Sequence, residues 1–139
     1  MTFDDVRACL ARDGWPVEPV SERTIRSRFR GKDRVFHLYV HLETGDDAGG
    51  FVTFAVIPFA RLPDDDAAAD ELGERLLRLN REMNMAKFSI DEDRDVVLSV
   101  EYKVADLDPS EVRDALDVLS FYADKFAGDV ERLSVARAP

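Results

Sequence analysis

Two histidines and a run of aspartates are the side chains of this chain that first suggest chemistry. His37 and His41 could form a metal pair, but four residues of extended strand separate them by roughly 13 Å, too far for one ion. The acidic run at residues 91–95 opens like a calcium loop, yet Val96 stands where that loop needs glycine. We therefore predict a solvated turn at this run and no metal site.

Catalytic machinery has little support in the residue pattern. Cys9 has no evident base beside it and is expected to be a small buried hydrophobe. The glycines at 45, 49 and 50 lack the Lys-Ser/Thr ending of a phosphate loop. We expect no catalytic residues and no cofactor. The enzyme alternative that stays open is a pocket formed only in a dimer, with His37 or His41 as the acid–base group.

A basic stripe is a stronger functional signal. Apolar and basic residues alternate from Thr24 to Arg30, which places Arg26, Arg28 and Arg30 on one face of a strand. One interpretation is a solvated edge strand whose charges prevent aggregation between sheets. The other is a docking patch for an acidic partner, including the acidic half of a second copy.

The charge of the chain is uneven. Residues 1–61 carry nine basic and nine acidic side chains, whereas residues 62–139 carry ten and twenty, which accounts for the net charge of -10. A surface this acidic repels polyphosphate, which disfavours nucleic acid as a partner. Binding of single-stranded nucleic acid by the arginine hairpin remains an alternative. The lone cysteine and the absence of a signal peptide or a membrane-length apolar run predict a cytoplasmic protein.

The elements that would position these residues form an α+β pattern. Hydrophobic periodicity predicts three helices and a five-stranded antiparallel sheet in the order α-β-β-β-α-β-β-α. Thr2 starts the first helix, Asp108 starts the third, and Gly128 is expected to end it. We therefore predict a single domain over residues 1–128, followed by a short C-terminal tail at residues 129–139.

Two apolar surfaces are candidates for contact with other chains. The strand from Phe51 to Phe59 is apolar on both faces. Its apolar surface is therefore larger than three helices can cover from one side of a sheet. The second helix repeats apolar residues at helical spacing, and this face is the candidate dimer contact: Leu72, Leu76, Leu79 and Met83. The candidate partner-binding residues are Arg26, Arg28, Arg30, Phe51, Phe54 and Val56.

The second half of the chain resembles a known family. The order of elements, together with four short segments concentrated within residues 72–126, resembles the YbjN-like proteins, which look like class I type III secretion chaperones in fold. The segments are Leu79-Asn80, Lys87-Phe88-Ser89-Ile90, Val97-Leu98-Ser99-Val100 and Asp108-Pro109-Ser110-Glu111.

This resemblance implies a non-enzymatic α+β domain that pairs with itself and binds other proteins. It brings no catalytic residue, and Asn80 is the one matched polar position, whose amide is expected to satisfy backbone groups near the helix end. The function predicted from the sequence is a chaperone-like or adaptor and regulatory module. It would act as a homodimer on a protein partner or client.

Overall fold

The computed structural model describes residues 1–43 and 50–134. The sequence predicts a hairpin loop at residues 44–50, which lies outside the described part except for Gly50, as does the final segment at residues 135–139. A short 3₁₀ turn over Val104–Asp106 precedes the last helix. The elements are α1 (Phe3–Arg12), β1 (Glu18–Ser21), β2 (Thr24–Arg30), β3 (Val35–Glu43), β4 (Phe51–Arg61), α2 (Asp66–Glu82), β5 (Lys87–Ile90), β6 (Asp95–Lys103) and α3 (Pro109–Arg132).

The strands form one antiparallel sheet in the order β1-β2-β3-β4-β6-β5. The prediction of an α+β fold with three helices and an antiparallel sheet is confirmed, but the sheet has six described strands instead of five. The additional strand, β1, lies at one edge and pairs with β2. Its four residues are all exposed and include Pro19, so they lack the alternating pattern by which a strand is recognised in a sequence.

The three helices pack on one face of this sheet. The strand registers pair Leu38 with Val56 and Val56 with Leu98, so these buried side chains share the covered face. Helix α3 crosses the central strands β4 and β6, α2 lies against the edge strand β5, and α1 packs on α3. Aromatic rings with neighbouring centroids 5.1–6.2 Å apart extend along this face: Phe29, Phe36, Phe59, Phe88 and Phe126.

Both predicted helix starts are confirmed. The Thr2 hydroxyl accepts the Asp5 amide at 3.2 Å, while the Asp5 carboxylate accepts the Thr2 amide at 2.8 Å, which forms a capping box. At α3, the Asp108 carboxylate accepts the Glu111 amide at 2.9 Å and Pro109 occupies the first helical turn. These local hydrogen bonds fix where α1 and α3 begin.

The predicted end of α3 at Gly128 is wrong. The helix continues to Arg132, Val130 is fully buried, and Asp129 forms an ion pair with Arg75 of α2. A glycine inside a helix costs only about 1 kcal/mol relative to alanine, and burial of the following turn offsets that cost. The boundary between a domain at residues 1–128 and a tail from residue 129 is therefore corrected: the packed unit extends beyond residue 128.

Asn80 joins α2 to the edge of the sheet. Its Nδ2 donates to the Phe88 carbonyl at 3.1 Å, and its Oδ1 accepts the Phe88 amide at 2.6 Å. Strand β5 pairs with β6 on its other side, so the side-chain amide takes the position of a further strand. The expectation that this amide satisfies backbone groups near the helix end is confirmed, and those groups belong to β5.

Replacing Asn80 with alanine should destabilise the protein by about 1–3 kcal/mol, because a backbone donor and acceptor of Phe88 lose their partners in a partly buried place. Chemical denaturation followed by circular dichroism measures the change. Asn84→Ala is the control, since Asn84 is exposed and lies beyond the end of α2; its effect should stay within about 0.5 kcal/mol. Equal losses in the two variants would contradict a specific role for Asn80.

Candidate protein-interaction surfaces

The basic stripe of β2 lies on the face of the sheet that the helices leave uncovered. Alternate residues of β2 point into the core, which turns Arg26, Arg28 and Arg30 to the other side. The register with β3 sets Arg26 beside Tyr39 and Arg28 beside His37. The structure therefore brings the three predicted arginines together with residues of β3 on one surface, which we call the basic face.

Glu18 of β1 binds the first arginine of the stripe. The Arg26 guanidinium donates from Nη2 to Oε1 at 2.6 Å and from Nε to Oε2 at 3.3 Å. These hydrogen bonds and the charge of Arg26, followed by the charge of Arg28, lower the pKa of the Glu18 carboxyl. Hydrogen bonds to Glu18 and Tyr39 raise the pKa of Arg26. The pair is solvent-exposed, so it orients Arg26 more than it stabilises the fold.

A small cleft opens between these side chains. Its volume is about 130 Å³, and its lining consists of Glu18, Arg26, Ser27, Arg28 and His37. A water molecule occupies about 30 Å³ in the liquid, so a carboxylate fits, whereas small-molecule sites usually measure about 300–1,000 Å³. The cleft is therefore suited to one acidic group and too small for a typical metabolite.

The turn that follows the stripe is anchored to α3. The Lys32 amide donates to the Asp124 carboxylate at 2.9 Å, and a Cβ added at Gly31 would come 2.5 Å from the same carboxylate. Arg34 donates to Glu131 at 2.8 Å. The hairpin of β2 and β3 is thus held at its tip by the last helix, and the basic face is built on a rigid support.

The histidines occupy separate positions on this face. His37 and His41 are both exposed, four residues apart on β3. His37 lines the small cleft, whereas Nδ1 of His41 lies 2.6 Å from the Thr24 hydroxyl. Nothing in this arrangement places the two rings around a common centre.

The aspartate run forms the turn between β5 and β6. The carboxylates of Asp91, Asp93 and Asp95 lie within 4.8 Å of one another. However, Oδ1 of Asp91 accepts the backbone amides of Asp93 and Asp95 at 3.0 Å each, and the carbonyl of Asp91 accepts the Arg94 amide. These hydrogen bonds are those of an aspartate-stabilised turn.

Two of the predicted partner-binding residues are in the core. Phe54 and Val56 have no exposed surface, because their positions on β4 turn them toward the helices. Phe51 is half-buried and alternates with them, so it lies on the uncovered face. The prediction for Phe54 and Val56 is therefore wrong for the folded chain, since the smaller side chains Thr53 and Ala55 occupy much of the second face of β4.

The predicted dimer face of α2 is also in the core. Its members pack inside the chain between α2 and the sheet, so they cannot be the surface at which two folded copies meet: Leu72, Leu76, Leu79 and Met83. The large apolar side chain that α2 exposes is Leu77, with 71% of its surface accessible. Helical spacing correctly identified the apolar stripe of α2. The stripe packs on the sheet of its own chain, however, and not on a second copy.

Leu77 belongs to an apolar groove that the sequence interpretation missed. The groove lies between the outer side of α2 and the turn of β5 and β6, and its volume is about 760 Å³. Gly73 is one of its lining residues and leaves open space, since an added Cβ would meet no atom within 4 Å. We call this surface the α2 groove; it is lined by Leu62, Asp66, Ala69, Asp70, Gly73, Glu74, Leu77, Ile90 and Arg94.

The groove had a weak signal in the sequence. Leu77 falls outside the buried stripe of α2, and Ile90 ends a short strand just before the acidic turn. Each residue alone is an ordinary exposed hydrophobe. Only the packing of α2 beside β5 brings Leu77 and Ile90 to the same groove.

The sheet order and the helices define an α+β domain of the type III secretion chaperone fold. Among the described residues, no helix is long and apolar enough to cross a membrane. The chain belongs to the YbjN family. The family model, described as "Putative bacterial sensory transduction regulator", matches residues 2–132. The predicted family resemblance is confirmed, and it extends over both halves of the chain.

A solved structure supports the same fold. The chain is similar to one from the heterodimeric complex ExoU-SpcU of the type III secretion system of Pseudomonas aeruginosa, with a TM-score of 0.59. The sequences are 18% identical, and the match covers 94% of this chain and 98% of that chain. At this level of sequence identity, the structural similarity establishes the fold alone. No curated protein matches the chain.

Replacing Arg26 with methionine should raise the pKa of Glu18 toward its ordinary value, because the carboxylate loses its hydrogen bonds and the nearest positive charge. A carboxyl group whose pKa is lowered by folding adds stability above its unfolded pKa, and this stability is lost as the pH falls through the folded pKa. The Arg26→Met variant should therefore lose less stability in acid than the parent.

Carboxyl-carbon NMR titration of Glu18 measures this shift directly. The matched control is Arg113→Met, which removes an exposed arginine from α3. An equal shift of the Glu18 pKa in the control would mean that net charge, and not the contact with Arg26, sets it.

Proposed function

We propose that this chain is a non-enzymatic protein-interaction module that acts as a homodimer, in a chaperone-like or adaptor and regulatory role. The observation that carries the proposal is the α2 groove, in which Leu77 is 71% and Ile90 45% exposed. Contiguous apolar surface of this kind marks interaction sites in soluble proteins. A second copy is the occupant that best fits the groove.

The shape of α2 favours self-association. If two α2 helices cross antiparallel at Gly73, Leu77 of each copy lies opposite Ala69 of the other, because both are four residues from the crossing point. A large side chain then enters the space left by small ones. Such a contact is the same from both sides, as a two-fold symmetric dimer requires.

The charges of α2 favour the same orientation. Its first half is acidic, with Asp66 and Asp70 on the rim of the groove. Its last two turns contain the exposed Arg78 and Arg81 beside Glu82, and Arg78 pairs with Glu74 of the preceding turn, so this end is only weakly basic. Antiparallel crossing brings the acidic half of one copy toward the basic half of the other, whereas parallel crossing would set like charges together.

The comparisons support a protein-binding role without naming the partner. The family description refers to sensory transduction, and the similar solved chain comes from a heterodimeric complex. The small cleft near Glu18 offers little room for a substrate. A cytoplasmic adaptor is consistent with Cys9 as a buried free thiol.

Light scattering coupled to size exclusion should give the mass of a dimer at micromolar concentration. Leu77→Asp should give the mass of a monomer, because a charge at the centre of the contact must be desolvated without a partner. Phe121→Asp is the matched control, since Phe121 is 60% exposed on α3 and lies outside the groove; this variant should remain a dimer.

Gly73→Leu provides a second test that does not rely on an added charge. The position has room for a side chain, and leucine is more favourable than glycine inside a helix by about 1 kcal/mol. The variant monomer should therefore be at least as stable as the parent monomer. The added side chain occupies the proposed crossing point, keeps the two helices apart there and should weaken the dimer. A parent protein that is monomeric, or a Gly73→Leu variant that dimerises as well as the parent, would refute the proposed contact.

A further inference from the structure

We infer that the basic face is a second docking site, which binds an extended acidic segment of a partner protein. This inference rests on the proposed function and adds the location and the chemistry of the partner. It concerns the side of the sheet opposite to the helices, whereas the α2 groove lies on α2 beside β5. The two surfaces can therefore be tested separately.

The positive charge of the basic face is only partly neutralised. Glu18 binds Arg26, but Arg28 and Arg30 form no salt bridge with any residue in the described ranges 1–43 and 50–134. Both are exposed, and they stand beside His37 and Val35 of the next strand. The hairpin thus presents two guanidinium groups that are free to bind carboxylates from outside, in the paired geometry that arginine favours.

The spacing of the stripe matches an extended peptide. Side chains on one face of a strand repeat about every 6.7 Å, so successive arginines of β2 have the same separation as alternate side chains of another extended chain. Acidic residues at every second position would therefore meet successive arginines. The cleft beside Arg28, of about 130 Å³, can receive one such carboxylate.

The sheet edges direct a partner to this face. At one edge, Asn80 already occupies the amide and carbonyl of Phe88. At the other, β1 has four residues, contains Pro19, and has an irregular register between Pro19 and Ser21. Proline and irregular pairing both discourage addition of a further strand. Recognition by side chains on the face is therefore favoured over extension of the sheet.

An acidic protein segment fits better than nucleic acid. The same face carries carboxylates away from the stripe, with Glu43 on β3 and Glu101 on β6, the latter paired with Lys87. The net charge of the chain is -10. A polyphosphate that continued past Arg28 and Arg30 would meet these negative groups, whereas a short acidic segment can end before them.

Uncharged residues lie beside the stripe on the same face. The register places Tyr39, Ala55 and Ser99 in one row across the uncovered face, with Arg26 at one end of the row and Lys87 at the other. Ala55 and Ser99 are small and nearly fully buried. A peptide that crosses this row meets a phenol and a low, uncharged surface between two ion pairs, Arg26 with Glu18 and Lys87 with Glu101.

Fluorescence anisotropy tests this inference with a labelled peptide in which glutamate alternates with threonine. A second peptide of the same composition carries its glutamates in one block, and oligothymidylate of equal charge represents nucleic acid. The alternating peptide should bind most tightly. Arg28→Glu combined with Arg30→Glu should weaken its binding at least about tenfold, because two attractive contacts become repulsive.

The matched control is Arg113→Glu, which changes the charge of an exposed arginine on α3 and should alter binding by less than about twofold. Circular dichroism verifies that each variant is folded. The inference is overturned if oligothymidylate or the block peptide binds as tightly as the alternating peptide, if Arg113→Glu weakens binding as much as the double variant, or if the alternating peptide does not bind at millimolar concentration.

The same titration on Leu77→Asp separates this inference from the proposed dimer. Arg28 and Arg30 do not line the α2 groove, so loss of the dimer should leave the affinity for the peptide unchanged. If the peptide binds only to the dimeric protein, the isolated basic face is not the complete site and the inference fails in this form.

Discussion

The structure depends on a single continuous apolar face of its sheet. The central strands turn their larger apolar residues to one side, and the helices bury that side. Because side chains alternate along a strand, each residue committed to the core leaves its neighbours on the opposite face. The register that buries Val56 and Leu98 therefore places Tyr39 and the arginines of β2 on the uncovered face. The core and the basic face are two consequences of one register.

The closure of the sheet edges complements this arrangement. Asn80 completes the hydrogen bonds of Phe88 at the β5 edge, and the same contact holds α2 beside β5, where the α2 groove forms. At the β1 edge, Glu18 orients Arg26, and the register with β2 shifts between Pro19 and Ser21. One polar residue thus builds a surface for apolar contact, and one edge strand completes a surface for charged contact. The two surfaces differ in chemistry, as suits the homodimer and the acidic client segment that we propose.

Local features of the chain were predictable because they depend on neighbouring residues. The caps at Thr2 and Asp108 require hydrogen bonds only three residues along the chain, and the arginine stripe follows from alternation within one strand. Strand β1 was not predictable, since it is exposed and short and is defined by its pairing with β2. The continuation of α3 past Gly128 was missed for a similar reason: burial of Val130 and contacts with other elements outweigh the weak helix propensity of glycine.

The sequence by itself determined the types of the main elements, their order, the family, and the face of β2 that carries positive charge. Only the tertiary structure decided which apolar residues are available to a partner. Leu76 and Leu77 are adjacent leucines on one helix, yet one is in the core and the other is 71% exposed. Periodicity divides each element into faces, but it does not identify what covers a face. Coverage depends on contacts between residues distant in the chain, such as Arg75 with Asp129 and α3 with β4.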